Sequence, residues 1–162
     1  MSRHKQIGIM IEDLGASQLS LYIMKDINQK LMSNDTDVFY LTCNKSVPCI
    51  NENNAAIFSI FYSQNIDATL VATSSYTAKI LKTCLASQER IFYITDLDWV
   101  RKQDKELEEE IKEILLDDGI IKLCRSKEYF DFIMKNYQVN KISNTIVANF
   151  EINKIMEIIN GF

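Results

Sequence analysis

The feature that most constrains this chain is a repeat of pattern rather than of residues. Short runs rich in β-branched and aromatic side chains end in small or polar residues, and each is followed by a stretch with apolar residues at helical spacing. The runs are 6–12 (QIGIMIE), 38–43 (VFYLTC), 68–73 (ATLVAT), 90–95 (RIFYIT), 120–124 (IIKLC) and 143–148 (SNTIVA). Runs this short and this apolar fit strands buried on both faces, as in parallel sheets. The stretches between them carry one-sided stripes: Leu19, Tyr22, Ile23, Ile27 and Leu31 in the first, Leu107, Ile111, Ile114 and Leu115 in 103–116, and Phe130, Ile133, Met134 and Tyr137 in 127–138. Such stripes lie on sheets. Strands alternating with helices require right-handed crossovers and helices on both faces. The expectation is therefore an α/β fold, a Rossmann-like three-layer α/β/α sandwich with a mostly parallel sheet of about six strands. Segment 55–63 (AAIFSIFYS) is open to either period, and its place between two stronger strands predicts a crossover helix.

No proline- or glycine-rich linker interrupts the pattern, so residues 1–162 are expected to form one domain. With 47% hydrophobic and 25% charged residues, the chain has the composition of a folded globular protein and not of a disordered one. A net charge of −4 argues against a nucleic-acid partner, whose affinity would come from clustered Lys and Arg. The nearest approach to a basic patch, Arg101, Lys102, Lys105, Lys122, Arg125 and Lys127, is interrupted by Glu106, Glu108, Glu109 and Glu110. Cys43, Cys49, Cys84 and Cys124 show no CxxC spacing and read as small buried hydrophobes. The first residues run straight into a strand without a secretory signal, and no apolar run approaches the ~20 residues of a membrane span. A cytoplasmic location and no membrane partner are expected.

In a sheet of this kind ligands bind beyond the C-terminal strand ends, at the switch in strand order. The candidates are thus Glu12, Asp13, Gly15, Ala16 and Ser17 after the first strand, and Thr73, Ser74 and Ser75 after the 68–73 strand. Asp96, Asp98 and Trp99 follow the 90–95 strand, and Arg125 and Ser126 follow 120–124. Gly15-Ala16-Ser17 leads into a helix and could offer backbone N–H groups to a ligand. However, it lacks GxGxxG, and Glu12 and Asp13 would repel phosphate, so a dinucleotide is disfavoured. Asp96 and Asp98 are candidate catalytic groups, able to accept hydrogen bonds from sugar hydroxyls or to act as a base, with capped turn residues as the plain alternative. Trp99 could stack on a sugar face or simply pack. Arg125 suits an anionic group, and Ser126 is placed as a helix cap. The single histidine, His4, leaves no Ser-His-Asp triad, and no metal site is expected.

Segments 68–81 (ATLVATSSYTAKIL), 90–101 (RIFYITDLDWVR), 120–133 (IIKLCRSKEYFDFI) and 142–155 (ISNTIVANFEINKI) resemble the small glycosyltransferase-like proteins encoded by tailed phages. More distantly they resemble the N-terminal half of GT-B glycosyltransferases. The order of features carries the likeness: Asp96 with Asp98, then Arg125-Ser126, then Asn149-Phe150. The resemblance implies an acceptor-side half that binds a sugar or another hydroxyl-rich molecule. A nucleotide-sugar cofactor would then be held by a separate subunit or a second copy. A non-catalytic interaction or regulatory module on the same frame is the alternative.

Overall fold

The computed structural model describes residues 5–15, 17–31, 36–45, 47–50 and 53–162. Seven strands form one sheet: β1 (Lys5–Ile11), β2 (Thr36–Thr42), β3 (Ala56–Ser59), β4 (Thr69–Ala72), β5 (Glu89–Ile94), β6 (Ile120–Cys124) and β7 (Ile142–Ile146). Their order is β3-β2-β1-β4-β5-β6-β7, and every pairing is parallel. This is the doubly wound, Rossmann-like order with β7 added at one edge. Its switch point lies between β1 and β4, where the chain leaves one side of the sheet to build the other.

The helices are α1 (Gln18–Leu31), α2 (Ser75–Lys82), a short α3 (Asp98–Arg101), α4 (Lys105–Leu116), α5 (Lys127–Asn136) and α6 (Ile152–Ile159). Strand alternation divides the core between the two faces. Ile7, Ile9, Tyr40, Ile91 and Tyr93 point to the face covered by Ile23 and Ile27 of α1 and by Ile152 and Ile155 of α6. Met10, Leu41, Leu70, Phe92 and Ile94 point to the other, against Leu81 of α2, Ile111 and Leu115 of α4 and Ile133 of α5. Gly8 lies among the central strands, where a Cβ would sit 2.8 Å from both Leu70 and Phe39 side-chain atoms. The Leu70 and Phe39 side chains fill the space that a larger residue would need, so they would have to shift to admit one.

Two polar devices hold the helices to this frame. The Asp26 carboxylate of α1 accepts the Ile152 N–H at 2.9 Å, satisfying a free donor at the start of α6 across most of the chain. Burial raises the Asp26 pKa, partly offset by that hydrogen bond. On the opposite face, Lys122 of β6 is fully buried. Its Nζ donates to the carbonyl oxygens of Asp117 (2.5 Å) and Asn140 (2.9 Å), joining the turn that precedes β6 to the turn that precedes β7. Loss of solvent lowers its pKa to about 8.

One expectation is overturned. Segment 55–63 is not a crossover helix: Ala56–Ser59 adds a seventh strand beside β2, in the register Phe39↔Ala56 to Thr42↔Ser59, and a 3-10 helix follows at Ile60–Asn65. The physical reason is that Ile57 and Phe58 must point to opposite faces, which a pleated strand allows and a single helical stripe does not. Among the described residues no helix is long and apolar enough to cross a membrane.

Candidate functional site

The strand ends at the switch point are tied together by threonine. Thr73, just past β4, donates its N–H (3.2 Å) and its hydroxyl (2.9 Å) to the Met10 carbonyl of β1, and its own carbonyl accepts from the Thr95 hydroxyl at 2.9 Å. Ser74 then caps α2. Its Oγ accepts from the Thr77 N–H at 3.2 Å, and Thr77 Oγ1 accepts from the Ser74 N–H at 3.0 Å, a reciprocal capping box. Ser75 is buried, and its hydroxyl donates to Asp98 Oδ2 at 2.6 Å, so the first turn of α2 holds the first residue of α3. Lys102 Nζ lies 3.5 Å from the same oxygen.

The turn after β1 is also internally bonded. The Asp13 carboxylate accepts from the Gly15 N–H. The Ser20 hydroxyl donates to the Asp13 carbonyl at 2.8 Å, and Ser17 Oγ accepts from the Ser20 N–H at 3.0 Å as the cap of α1. Ala16 lies outside the described residues. Glu12 is exposed and borders two concavities. The smaller, about 190 Å³, is a crevice between the starts of α1 and α2 that takes in Asp13, Ser17, Thr73 and Ser74. The larger, about 400 Å³, opens toward α4: Glu12, Ser75 and Asp98 form one wall, Asp104, Glu106 and Glu110 the other, and Tyr76 stands beside them.

Charge decides what this cleft can accept. Its lining carries five carboxylates and two lysines, Lys79 and Lys102. Both lysines are engaged: Lys79 pairs with Glu110 at 2.6 Å, which raises its pKa, and Lys102 faces Asp98. The excess is negative, so a phosphate would meet like charge, whereas hydroxyl groups find acceptors. No group of three or more His, Cys, Asp or Glu side chains among the described residues is arranged to hold a metal ion.

The sequence-derived site residues divide. Glu12, Ser75 and Asp98 share the larger cleft, and Asp13, Ser17, Thr73 and Ser74 share the crevice that adjoins it through Glu12. Asp96 faces elsewhere, paired with Arg101 (2.6 Å) and accepting the Leu97 N–H (2.8 Å). Trp99 is fully buried against Phe92, with its Nε1–H directed to the Tyr137 hydroxyl at 3.3 Å, and presents no face to a ligand. Arg125 and Ser126 follow β6, two strands from β4, and line neither concavity. Ser126 caps α5, accepting the Tyr129 N–H at 3.2 Å. The α4 wall is absent from the sequence reading, although a signal existed. Lys79 and Lys82 on α2 meet Glu110 and Glu113 on α4, a matched three-residue spacing on two helices.

No protein-family model, curated protein or solved structure matches this chain.

Proposed function

We propose that this chain binds a sugar or another hydroxyl-rich acceptor in the cleft between Glu12, Asp98 and α4, as the acceptor-side half of a glycosyltransferase-like protein. The observation that carries the reading is the excess of carboxylates in a cleft at the switch point, where this strand order ordinarily places its ligand. A carboxylate can accept hydrogen bonds from vicinal hydroxyls, and Asp98 is pre-oriented for that task by Ser75. The same charge repels a pyrophosphate, so a nucleotide-sugar would sit on a partner subunit or a second copy. Of the two aspartates, Asp98 is then the residue nearest an acceptor and Asp96 a positioning residue for the α3 turn.

A non-catalytic module is the second reading. It is favoured by the prior engagement of both aspartates, Asp96 by Arg101 and Asp98 by Ser75 and Lys102.

Titration calorimetry with a panel of neutral sugars and nucleotide-sugars tests the proposal. Binding of at least one neutral sugar is expected, weakened about tenfold by Glu12→Gln or Asp98→Asn while the fold persists. A folded protein that binds none of the sugars overturns the acceptor site. Sugar binding that survives both substitutions overturns its placement in this cleft.

A further inference from the structure

The carboxyl ends of β2 and β3 hold a second concavity, across β1 from the acidic cleft. Its volume is about 420 Å³, and it shares no lining residue with that cleft. Thr42 and Ser59, partners in the strand register and each the last residue of its strand, meet there with Asn44. Thr42 is only 8% exposed, yet its hydroxyl makes no hydrogen bond to any described residue, and neither does the Ser59 hydroxyl or the Asn44 side-chain amide. A nearly buried hydroxyl without a partner calls for one from outside the chain, and the ends of parallel strands are where such sheets take ligands. The apolar part of the wall includes Phe58 and Phe61, at 46% and 86% exposure. Rings this open to solvent offer a face to another flat group.

Charge selects among flat ligands. Lys45 is the only charged residue of the lining, and it meets no carboxylate among the described residues. It suits one anionic group, and the Thr42, Asn44 and Ser59 side chains supply neutral donors beside it. A second negative charge is disfavoured because Glu12 is close. The Glu12 carbonyl accepts the Asn44 N–H at 3.1 Å. Burial raises the pKa of Cys43, which lines the same hollow, and the Glu12 carboxylate raises it further. An exposed ion pair adds little affinity by itself, so ring contact supplies most of the binding and Lys45 the choice of charge.

We propose that this hollow binds an aromatic monocarboxylate, its ring against Phe61 and its carboxylate toward Lys45, with the Thr42 and Ser59 hydroxyls as further donors. Its volume falls in the range of small-molecule sites, roughly 300–1,000 Å³. Because the two concavities have no residue in common, failure here leaves the acceptor reading standing, and the reverse holds as well.

Calorimetry on the full chain with naphthoate, naphthamide and naphthyl phosphate, substituted at the same ring position, tests it, since the three differ in charge and share one ring system. Naphthoate should bind about fivefold more tightly than either of the others. Lys45→Met should abolish its advantage over the amide, while Phe61→Ser weakens all three about tenfold. Both side chains are exposed, and an unchanged circular dichroism spectrum checks that the fold persists. Saturating naphthoate should also protect Cys43 from alkylation by N-ethylmaleimide, read by mass spectrometry. A folded chain that binds no naphthoate overturns the proposal. So does naphthoate held no better than the amide or the phosphate, or a preference over the amide that survives Lys45→Met. Binding that leaves Cys43 unprotected places the ligand elsewhere and overturns it equally.

Discussion

The two edges of the sheet are built in opposite ways. At β7, the register against β6 shifts, so that Lys122 faces Ile142 while Cys124 faces Ile146. Lys141 enters that strand at a φ of 53°, and the Ser143 hydroxyl accepts the Thr145 N–H at 3.0 Å. An irregular strand with exposed Asn144 and Thr145 is a poor template for another chain. At β3 the pairing with β2 is regular, the residues are Ala-Ile-Phe-Ser, and nothing polar interrupts them until Ser59. The difference teaches that one edge is closed to regular pairing by its register shift, while the other keeps its pairing capacity.

The largest expected effect is on the closed side. Lys122→Ala should lower stability by about 2–4 kcal/mol, since it removes a buried four-carbon stem and leaves the Asp117 and Asn140 carbonyls without this donor. Denaturant unfolding measures it, and a loss below about 1 kcal/mol would show that the β7 side does not depend on the lysine. Phe58→Ala comes next, at about 1–2 kcal/mol. The ring is half-exposed and packs edge-on against Phe39 at 5.7 Å, so its loss should be smaller than that of a buried aromatic.

The pH dependence of the closed side is a finer test. The Lys122 pKa falls from 10.5 in the unfolded chain to about 8 in the folded one, so the unfolded state binds more protons between those values. Stability from this group therefore rises as pH goes from 8 toward 10.5 and is lost as pH falls through 8. Tyr93, pushed up to about 12 by burial, acts in the opposite sense above pH 10, as does Cys124, also near 12, from pH 9 upward. Comparison with Lys122→Met removes those shared contributions. The difference in unfolding free energy, parent minus variant, should increase across pH 8–10.5, and a flat difference would contradict the lowered pKa. The smallest effect belongs to the open side. Ile57→Lys should change the stability of the chain by no more than about 1 kcal/mol, because much of the Ile57 side chain already reaches solvent. A larger loss in thermal unfolding would mean that Ile57 serves the core and not the open edge.

The same contrast explains what could be read in the sequence. Strands β4, β5 and β6 stood out because Leu70, Val71, Ile91, Phe92, Ile121 and Leu123 are buried on both faces, and no polar alternation obscures them. Strand β3 did not, because an edge strand of four residues obeys no burial pattern and its Ile57-Phe58 pair suits either period. Among site residues, Glu12, Ser75 and Asp98 followed from the strand-end rule alone. The position of Trp99 was legible but its environment was not, since burial beneath Tyr137 depends on α5, nearly forty residues away. The α4 carboxylates looked like a solvated face until α2 was set against them, for only adjacency turns Lys79 and Glu110 into a wall.

The bond from Asp26 to Ile152 has a consequence for biosynthesis. The α1 face of the sheet is finished only by α6, so a ribosome-bound chain lacking residues 147–159 would leave Ile9, Tyr93 and neighbouring side chains without their cover. The opposite face, roofed by α2, α4 and α5, can close earlier. A nascent chain thus passes through a half-roofed stage, and its first helix waits for its last.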